Sequence, residues 1–318
     1  MGIGGRSYGP AGSDEESFAV LDAAHAQGCT HWDTADLYND SEALLGKWFK
    51  RTGKRSDIFL ATKFGFTSNG IRGDPEHIHN QFNKSLETLG VDYIDLYYAH
   101  RVDSKTPIEV TVGVMAEYVK AGKVKYIGLS ECSAKALRRA HAVHPIAAIQ
   151  MEVSPLVLDV FDPKFALLET ARELGVAIVA YSPLGRGLLS GQYKAIDELA
   201  AADFRRTIPK YAPENFSKIN ALSTRIKDIG AAHNATAAQV TLSWILAQGQ
   251  DFFVIPGTKK IKYLEENIGA ANVKLTPEEV AAVRKLADDA DIPGDRYGEA
   301  NQKLVYQDSP ELGSLATK

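Results

Sequence analysis

Short apolar segments alternate with helical segments along this chain at a nearly constant interval. The apolar segments are rich in Ile, Val, Leu and aromatic residues and span 30–34, 58–63, 93–99, 124–130, 147–152, 177–181 and 252–255. One strand, one helix and two short loops take about 30 residues, which matches the spacing of the first six segments. Several segments are almost continuously apolar, as strands of a parallel sheet covered on both faces are. The pattern predicts an α/β fold of successive βα units.

The intervening segments carry recognisable helix boundaries. Ser13 and Glu16 form a capping-box pattern before a helix that reaches residue 27 and ends at Gly28. The same reasoning predicts helices at 75–89 and 107–121, each followed by glycine, and helix starts at Thr236 and Thr276.

The 318 residues suffice for a single (β/α)8 TIM barrel, which we predict as one domain over 1–318. Seven strands can be identified, and only the glycine-rich residues 1–7 remain for a first strand, which therefore looks truncated. If the chain is complete as given, the barrel floor is open. A long loop over 185–213 follows the seventh barrel strand, and an irregular tail over 291–318 could partly cover the site.

The composition excludes several classes of partner. The net charge of −4 argues against nucleic acid and membrane surfaces, since both attract a basic excess. Cys29 and Cys132 form neither a disulfide framework nor a zinc-site pattern. No signal peptide or membrane-spanning run is visible, so we expect a cytoplasmic protein. The oligomeric state cannot be read from the sequence.

Chemically capable side chains stand at the ends of the predicted strands, where barrel enzymes carry their active sites. An acid, a base and an imidazole end three successive strands at Asp33, Lys63 and His100, and Tyr38 lies in the loop after Asp33. Later strand ends bring Ser130, Glu131, Gln150, Glu152 and Tyr181.

These residue types suit proton transfer to a carbonyl oxygen. A free tyrosine has a pKa of about 10, and a neighbouring lysine ammonium would lower it. Asp33 would hold Lys63 charged, and His100 would orient the substrate oxygen. Because the set supplies no electron pair, a hydride donor must be added.

Six motifs at these positions resemble those of the aldo-keto reductase family. They are WDTADLY at 32–38, ATKFG at 61–65, DYIDLYYAH at 92–100, YIGLS at 126–130, AYSPLG at 180–185 and IPGT at 255–258 with EEN at 265–267. The resemblance runs from about residue 8 to residue 275. In their details, these motifs are similar to those of the branch that includes pyridoxal reductases and aryl-aldehyde reductases.

The resemblance implies a TIM barrel that binds NADPH without a Rossmann motif. Tyr38 would be the general acid, with Lys63, Asp33 and His100 as its partners. Ser130 and Gln150 would hold the nicotinamide carboxamide, and Tyr181 would stack on the ring. The pyrophosphate would be lined by Ser182, Leu184 and Arg186, the 2′-phosphate side by Gly257, Thr258 and Lys259, and the adenine by Glu266 and Asn267.

The lysines at 259, 260 and 262 favour NADPH over NADH, because a helix starting at Gly257-Thr258 would add an anion-binding N-terminus. One departure is Glu131, where the family often has Asn; a carboxylate cannot donate to the carboxamide oxygen, so the role of Glu131 stays open.

The expected activity is NADPH-dependent reduction of an aldehyde or ketone to an alcohol. Phe64, Phe66, Tyr98 and Tyr297 could line an apolar pocket for aryl aldehydes or pyridoxal, although core packing explains each equally well. An alternative is a cofactor-binding regulatory subunit with little turnover. A metal-dependent sugar enzyme is a third possibility, with Asp33, His100 and Glu152 as its ligands; Lys63 beside them opposes a cation, so we expect no metal.

Overall fold

The computed structural model describes residues 3–5 and 12–313, and within them seven parallel strands form one curled sheet. Each strand pairs with the strand before it in the chain, so the sheet order is the chain order. The strands are β1 (His31–Asp33), β2 (Phe59–Phe64), β3 (Ile94–Ala99), β4 (Val124–Ser130), β5 (Ala148–Glu152), β6 (Ala177–Tyr181) and β7 (Phe252–Val254). All seven predicted strands are therefore confirmed, with ends that differ by one residue at most.

The helices lie between and after these strands. They are α1 (Asp14–Ala26), α2 (Ser41–Thr52), α3 (Pro75–Leu89), α4 (Ile108–Lys120), α5 (Ala134–Val143), α6 (Leu167–Glu173), α7 (Phe216–Gly230), α8 (Ala237–Leu246), α9 (Ile261–Gly269), α10 (Pro277–Asp289) and the short α11 (Glu299–Gln302). The capping box predicted at Ser13 is formed, and the helix starts predicted at Thr236 and Thr276 are capping boxes as well. In each, the cap side chain and the residue three positions later satisfy one another's backbone N–H.

The sheet has an apolar layer on each side. The inner layer, inside the curl, contains Ala61, Leu96, Tyr98, Ala148 and Val179. The outer layer packs the strands against the helices and includes Trp48, Trp244 and Phe82. Alternate residues of the strands thus enter the two layers, and both faces of the sheet are covered, as the continuous apolar runs indicate.

The long loop predicted after β6 consists of short 3-10 turns that precede α7. These turns span Gly185–Ser190, Ile196–Glu198, Phe204–Thr207, Pro209–Tyr211 and Pro213–Asn215. A two-stranded hairpin, Phe66–Thr67 with Gly70–Ile71, follows β2. Both segments emerge at the carboxyl ends of the strands.

The predicted first strand falls mostly on residues outside the described ranges, and residues 3–5 form a bend whose Gly4 carbonyl accepts from the Asp40 N–H. Among the described strands, β1 and β7 are the two edges of the sheet. No helix in the described ranges is long and apolar enough to cross a membrane.

Candidate active site

The four predicted catalytic residues lie together at the carboxyl ends of β1, β2 and β3. The Lys63 Nζ donates to the Asp33 carboxylate and, at 2.7 Å, to the Thr34 carbonyl oxygen. The Tyr38 ring centroid is 5.0 Å from that Nζ and 5.7 Å from the His100 ring centroid. Parallel register puts Lys63 beside Tyr98 of β3, so His100 follows at the same edge of the sheet.

The pKa of Tyr38 is raised, which contradicts the expected lowering by Lys63. Burial is the main cause, and the negative charge of Asp33 adds to it, while Arg101 acts in the opposite direction. Lys63 is paired with Asp33, and the charge of Asp33 itself raises the pKa of the phenol. Tyr38 is therefore a protonated hydroxyl at neutral pH.

Burial lowers the pKa of Lys63, and the charge of Asp33 opposes that shift. Burial, together with the charges of Lys63 and Arg101, also holds the pKa of His100 well below its usual range. His100 is thus a neutral imidazole at neutral pH. Its Nδ1 is buried and has no hydrogen-bond partner among the residues described.

The residues expected to hold the nicotinamide are connected to this set. The Gln150 Nε2 donates to Asp33 at 2.8 Å, and the Ser130 hydroxyl donates to the Gln150 carbonyl at 3.0 Å. Ser130 and Gln150 are register partners of β4 and β5. Tyr181 ends β6, where its hydroxyl donates to Glu131 and meets the Tyr297 hydroxyl at 2.7 Å.

The role of Glu131, which the sequence left open, is a buried ion pair with the tail. Both of its oxygens accept from Arg296, at 3.0 and 2.9 Å, and Oε1 also accepts from Tyr181 and from the Glu152 N–H. Burial alone would raise the pKa of Glu131, but Arg296 overrides this and lowers it. The tail therefore lies over the ends of the strands. It is held there by Glu131, the residue that departs from the family motif.

Arg186, expected at the pyrophosphate, pairs with Glu152 at 3.0 Å. Both side chains are almost fully buried, so this guanidinium already has a carboxylate partner. Ser182 and Leu184 lie in the same turn, where the Ser182 carbonyl accepts from Gly185 and the Leu184 carbonyl from Gly187.

The residues expected at the adenosine side lie in α9 and the loop before it. Gly257, Thr258 and Lys259 precede the helix, and Glu266 and Asn267 lie within it. The helix begins at Ile261, not at Gly257-Thr258 as expected, because the Thr258 hydroxyl accepts from the Lys260 N–H and forms a turn first. No side chain caps the helix, so its first N–H groups can face an anion.

Of the aromatic residues considered for a substrate pocket, two lie in the core and two near the site. Phe64 and Tyr98 are fully buried in the outer and inner layers. The Phe66 ring lies edge-on against His100 at 4.9 Å, and Tyr297 meets Tyr181. Within the described ranges, no three His, Cys, Asp or Glu side chains are grouped as metal ligands.

Sequence reasoning missed Arg101 and Arg296. Arg101 directly follows His100 and donates to the His100 carbonyl at 2.7 Å and to the Ser130 hydroxyl at 3.3 Å. The sequence did contain a signal for Arg101, namely a charged residue directly after the histidine at the end of a predicted strand. Arg296 had no such signal, since only the fold brings it to Glu131.

The curled parallel sheet and the Asp, Tyr, Lys and His set at its carboxyl edge define the class of protein. The family model described as "Aldo/keto reductase family" matches residues 1–288, and the chain belongs to this family. The protein is therefore an oxidoreductase, and the predicted resemblance to this family is confirmed.

Two relatives from fungi cover nearly the whole chain. Aldo-keto reductase str7 of Strobilurus tenacellus is 70% identical over 305 residues, which is 96% of this chain and 90% of the relative. Aldo-keto reductase yakc [NADP(+)] of Schizosaccharomyces pombe is 46% identical over 313 residues, covering 96% and 92%.

Solved structures agree on the fold. A glycerol dehydrogenase from Gluconobacter oxydans superposes with a TM-score of 0.81 at 25% identity, covering 92% of this chain and 90% of that one. A thermostable aldo-keto reductase in complex with the inhibitor epalrestat gives 0.73 at 30% identity, covering 90% and 92%. The predicted TIM-barrel class is confirmed.

Proposed function

We propose that this protein reduces an aldehyde or ketone to an alcohol with NADPH as hydride donor, acting as one barrel domain in the cytoplasm. The observation that carries the proposal is the cluster in which Tyr38 lies between the Lys63–Asp33 ion pair and the His100 ring. The NADP(+) in the name of the fission-yeast relative supports the choice of cofactor.

The residues of the chain account for the proton half of the reaction. Tyr38 is protonated and donates its proton to the carbonyl oxygen as that oxygen gains charge. Lys63, fixed by Asp33, stabilises the resulting phenolate by its positive charge. His100 is neutral and can donate one ring N–H to the same oxygen, which orients the carbonyl and disperses its developing charge.

The chemistry of the donor set fits a nicotinamide dinucleotide. NADPH supplies the hydride when bound. Ser130 and Gln150 offer a hydroxyl and an amide at adjacent strand ends for the carboxamide, and Tyr181 offers a ring beside them. At the other end, Gly257, Thr258, Lys259 and the uncapped start of α9 present N–H groups and a cationic side chain to a 2′-phosphate, with Glu266 and Asn267 toward the adenine.

The pyrophosphate would lie along the turn of Ser182, Leu184 and Arg186. Four residues of this turn, Ser182, Gly185, Arg186 and Gly187, have positive φ, which opens the backbone toward a ligand. Because Arg186 pairs with Glu152, we expect its contribution to come through the backbone of the turn unless that pair opens.

The substrate class we favour is aryl aldehydes, with pyridoxal as a related ring aldehyde. Phe66 against His100 and Tyr297 against Tyr181 are the two aromatic side chains that support this choice.

The test is consumption of NADPH by the purified protein with 4-nitrobenzaldehyde and with pyridoxal, with NADH in parallel. Aldehyde-dependent consumption of NADPH, at least tenfold faster than that of NADH, is expected. Tight binding of NADPH without consumption across a panel of carbonyls would refute the reductase and favour a regulatory subunit. Absence of NADPH binding would refute both.

A further inference from the structure

Arg101 is a buried cation at the active site without a carboxylate partner among the described residues. Only 9% of the residue is exposed. Its Nη1 donates to the His100 carbonyl and the Ser130 hydroxyl, both uncharged acceptors. Its Nε and Nη2 donate to no described residue, so one edge of the guanidinium fork remains available.

Glu131, whose charge acts on Arg101, and Asp103, two residues later in the chain, already have other hydrogen-bond partners. Glu131 accepts from Arg296 with both oxygens and also from Tyr181. Asp103 accepts from the Gly73 N–H, the Lys105 N–H and the Thr106 hydroxyl, each at 2.8 Å. Neither carboxylate forms an ion pair with Arg101.

The other buried cations at this end of the sheet are each matched. Lys63 pairs with Asp33, Arg186 with Glu152 and Arg296 with Glu131. Burying a charge without a counter-charge is costly, so an unmatched guanidinium at a catalytic centre indicates that the missing anion arrives with a ligand.

The position of Arg101 relates that anion to the reacting carbonyl. The Phe66 ring lies 4.9 Å from the His100 ring and 5.7 Å from the Arg101 guanidinium carbon. A substrate ring resting against Phe66 can therefore present its carbonyl to His100 and a substituent to Arg101.

We propose that Arg101 binds an anionic substituent of the carbonyl substrate, a carboxylate or a phosphate, by the free edge of its guanidinium. The natural substrate is then an anionic aryl aldehyde or ketone. This proposal rests on the proposed reductase function and specifies its substrate class.

Matched substrate pairs test it: the three carboxybenzaldehydes against their methyl esters, and pyridoxal 5′-phosphate against pyridoxal, with products quantified by chromatography. For at least one pair, we expect kcat/KM for the anionic member to exceed that for the neutral member by on the order of 10- to 100-fold, as for a charge-assisted hydrogen-bonded pair. The carboxylate and phosphate arms distinguish the two sources of the anion.

Three variants separate substrate binding from folding. Arg101→Met should abolish the preference for the anionic members, so that kcat/KM falls more for them than for the neutral members, while Arg101→Lys should keep part of the preference. Lys105→Met, which removes an exposed positive charge four residues later, should leave the preference intact. Equal losses on anionic and neutral substrates would overturn the proposal, as would weaker NADP+ binding with an unchanged preference.

Calorimetric titration with benzoate and with inorganic phosphate gives a readout that does not depend on turnover. At least one anion should bind the wild-type chain and Lys105→Met at least tenfold more tightly than Arg101→Met. If no carbonyl is reduced but this difference is found, the reductase proposal fails and the anion site stands. If neutral aldehydes are reduced and no anion difference appears in either assay, the anion site fails and the reductase stands.

Discussion

At the scale of single residues, charge compensation decides the character of the catalytic groups. Lys63 is fully buried, and its pairing with Asp33 makes this burial possible. The charge of Asp33 also raises the pKa of Tyr38. In the proposed reaction, Tyr38 acts as an acid through its position next to the substrate oxygen, while its ground-state pKa stays high.

Tyr38→Phe removes the donated proton and keeps the ring, so NADPH should bind normally while aldehyde reduction falls at least 100-fold. Lys63→Met should also cripple turnover, because the phenolate loses its stabilising charge. Tyr126→Phe is the matched control, since Tyr126 is 51% exposed, and its rate should equal wild type. The measurement is single-turnover reduction beside fluorescence quenching by NADPH. Equal rates for Tyr38→Phe and wild type would contradict the assignment.

Asp36 gives the stability of the protein a specific pH dependence. Burial, together with the nearby charge of Glu42, raises its pKa from 3.8 to about 7. Between those values the folded chain keeps this proton and the unfolded chain has lost it, so the contribution of Asp36 to stability falls as pH rises from about 4 to 7.

Asp36→Asn removes this titration. From pH 5 to pH 8, the free energy of unfolding of the variant should rise relative to wild type by roughly 2 kcal/mol. Urea unfolding at the two pH values measures the difference between the two proteins, in which other titrating groups cancel. A difference that does not depend on pH would show that Asp36 titrates normally.

At the scale of elements, β4 and its neighbours show how closely the inner layer is packed. A Cβ added at Gly128 would lie 2.5 Å from a ring carbon of Tyr98 and 2.8 Å from the Ala148 carbonyl oxygen. Tyr98 is fully buried and cannot move aside freely. The absence of a side chain at this strand position is therefore what admits the tyrosine beneath the site.

Gly128→Ala should lower the free energy of unfolding by about 2 kcal/mol or more, because overpacking displaces Tyr98. Gly113→Ala is the same change in α4, where an added Cβ meets nothing within 4 Å. That control should be neutral or stabilising by up to about 1 kcal/mol, as expected from helix propensity. Chemical denaturation compares the two, and equal effects would disprove the packing constraint.

At the scale of the whole molecule, the tail closes the catalytic edge of the barrel. Arg296 pairs with Glu131, and further along the Ser133 N–H donates to the Gln307 carbonyl at 3.2 Å. Arg139 donates to the carbonyl oxygens of Ser309 and Pro310. These hydrogen bonds connect the tail to the end of β4 and to α5, which lie far from the tail in the sequence.

Arg296→Met should release this closure and leave the buried Glu131 charge uncompensated, at a cost of about 3 kcal/mol or more. We expect a lower Tm and faster proteolytic cleavage within 291–313. Lys303→Met breaks only an exposed pair with Glu299 and should leave both readouts unchanged. Identical cleavage of Arg296→Met and wild type would show that the ion pair does not hold the tail.

The sequence by itself determined the seven strands, several helix boundaries and the residues proposed as the catalytic group. Apolar runs and capping boxes are local signals, and Asp33, Lys63 and His100 lie at or next to the carboxyl ends of three neighbouring parallel strands. Helix α9 was misplaced because the Thr258 turn competes with a helix start over only three residues.

Only the tertiary structure decided the electrostatics of the site. The role of Glu131, the pairing of Arg186 with Glu152 and the lack of a carboxylate beside Arg101 depend on distances between residues from different strands, the long loop and the tail. Burial also reversed the expected pKa shift of Tyr38. Local patterns place a charged residue at a strand end, but its partner, and therefore its energy, is set by the segments that fold over it.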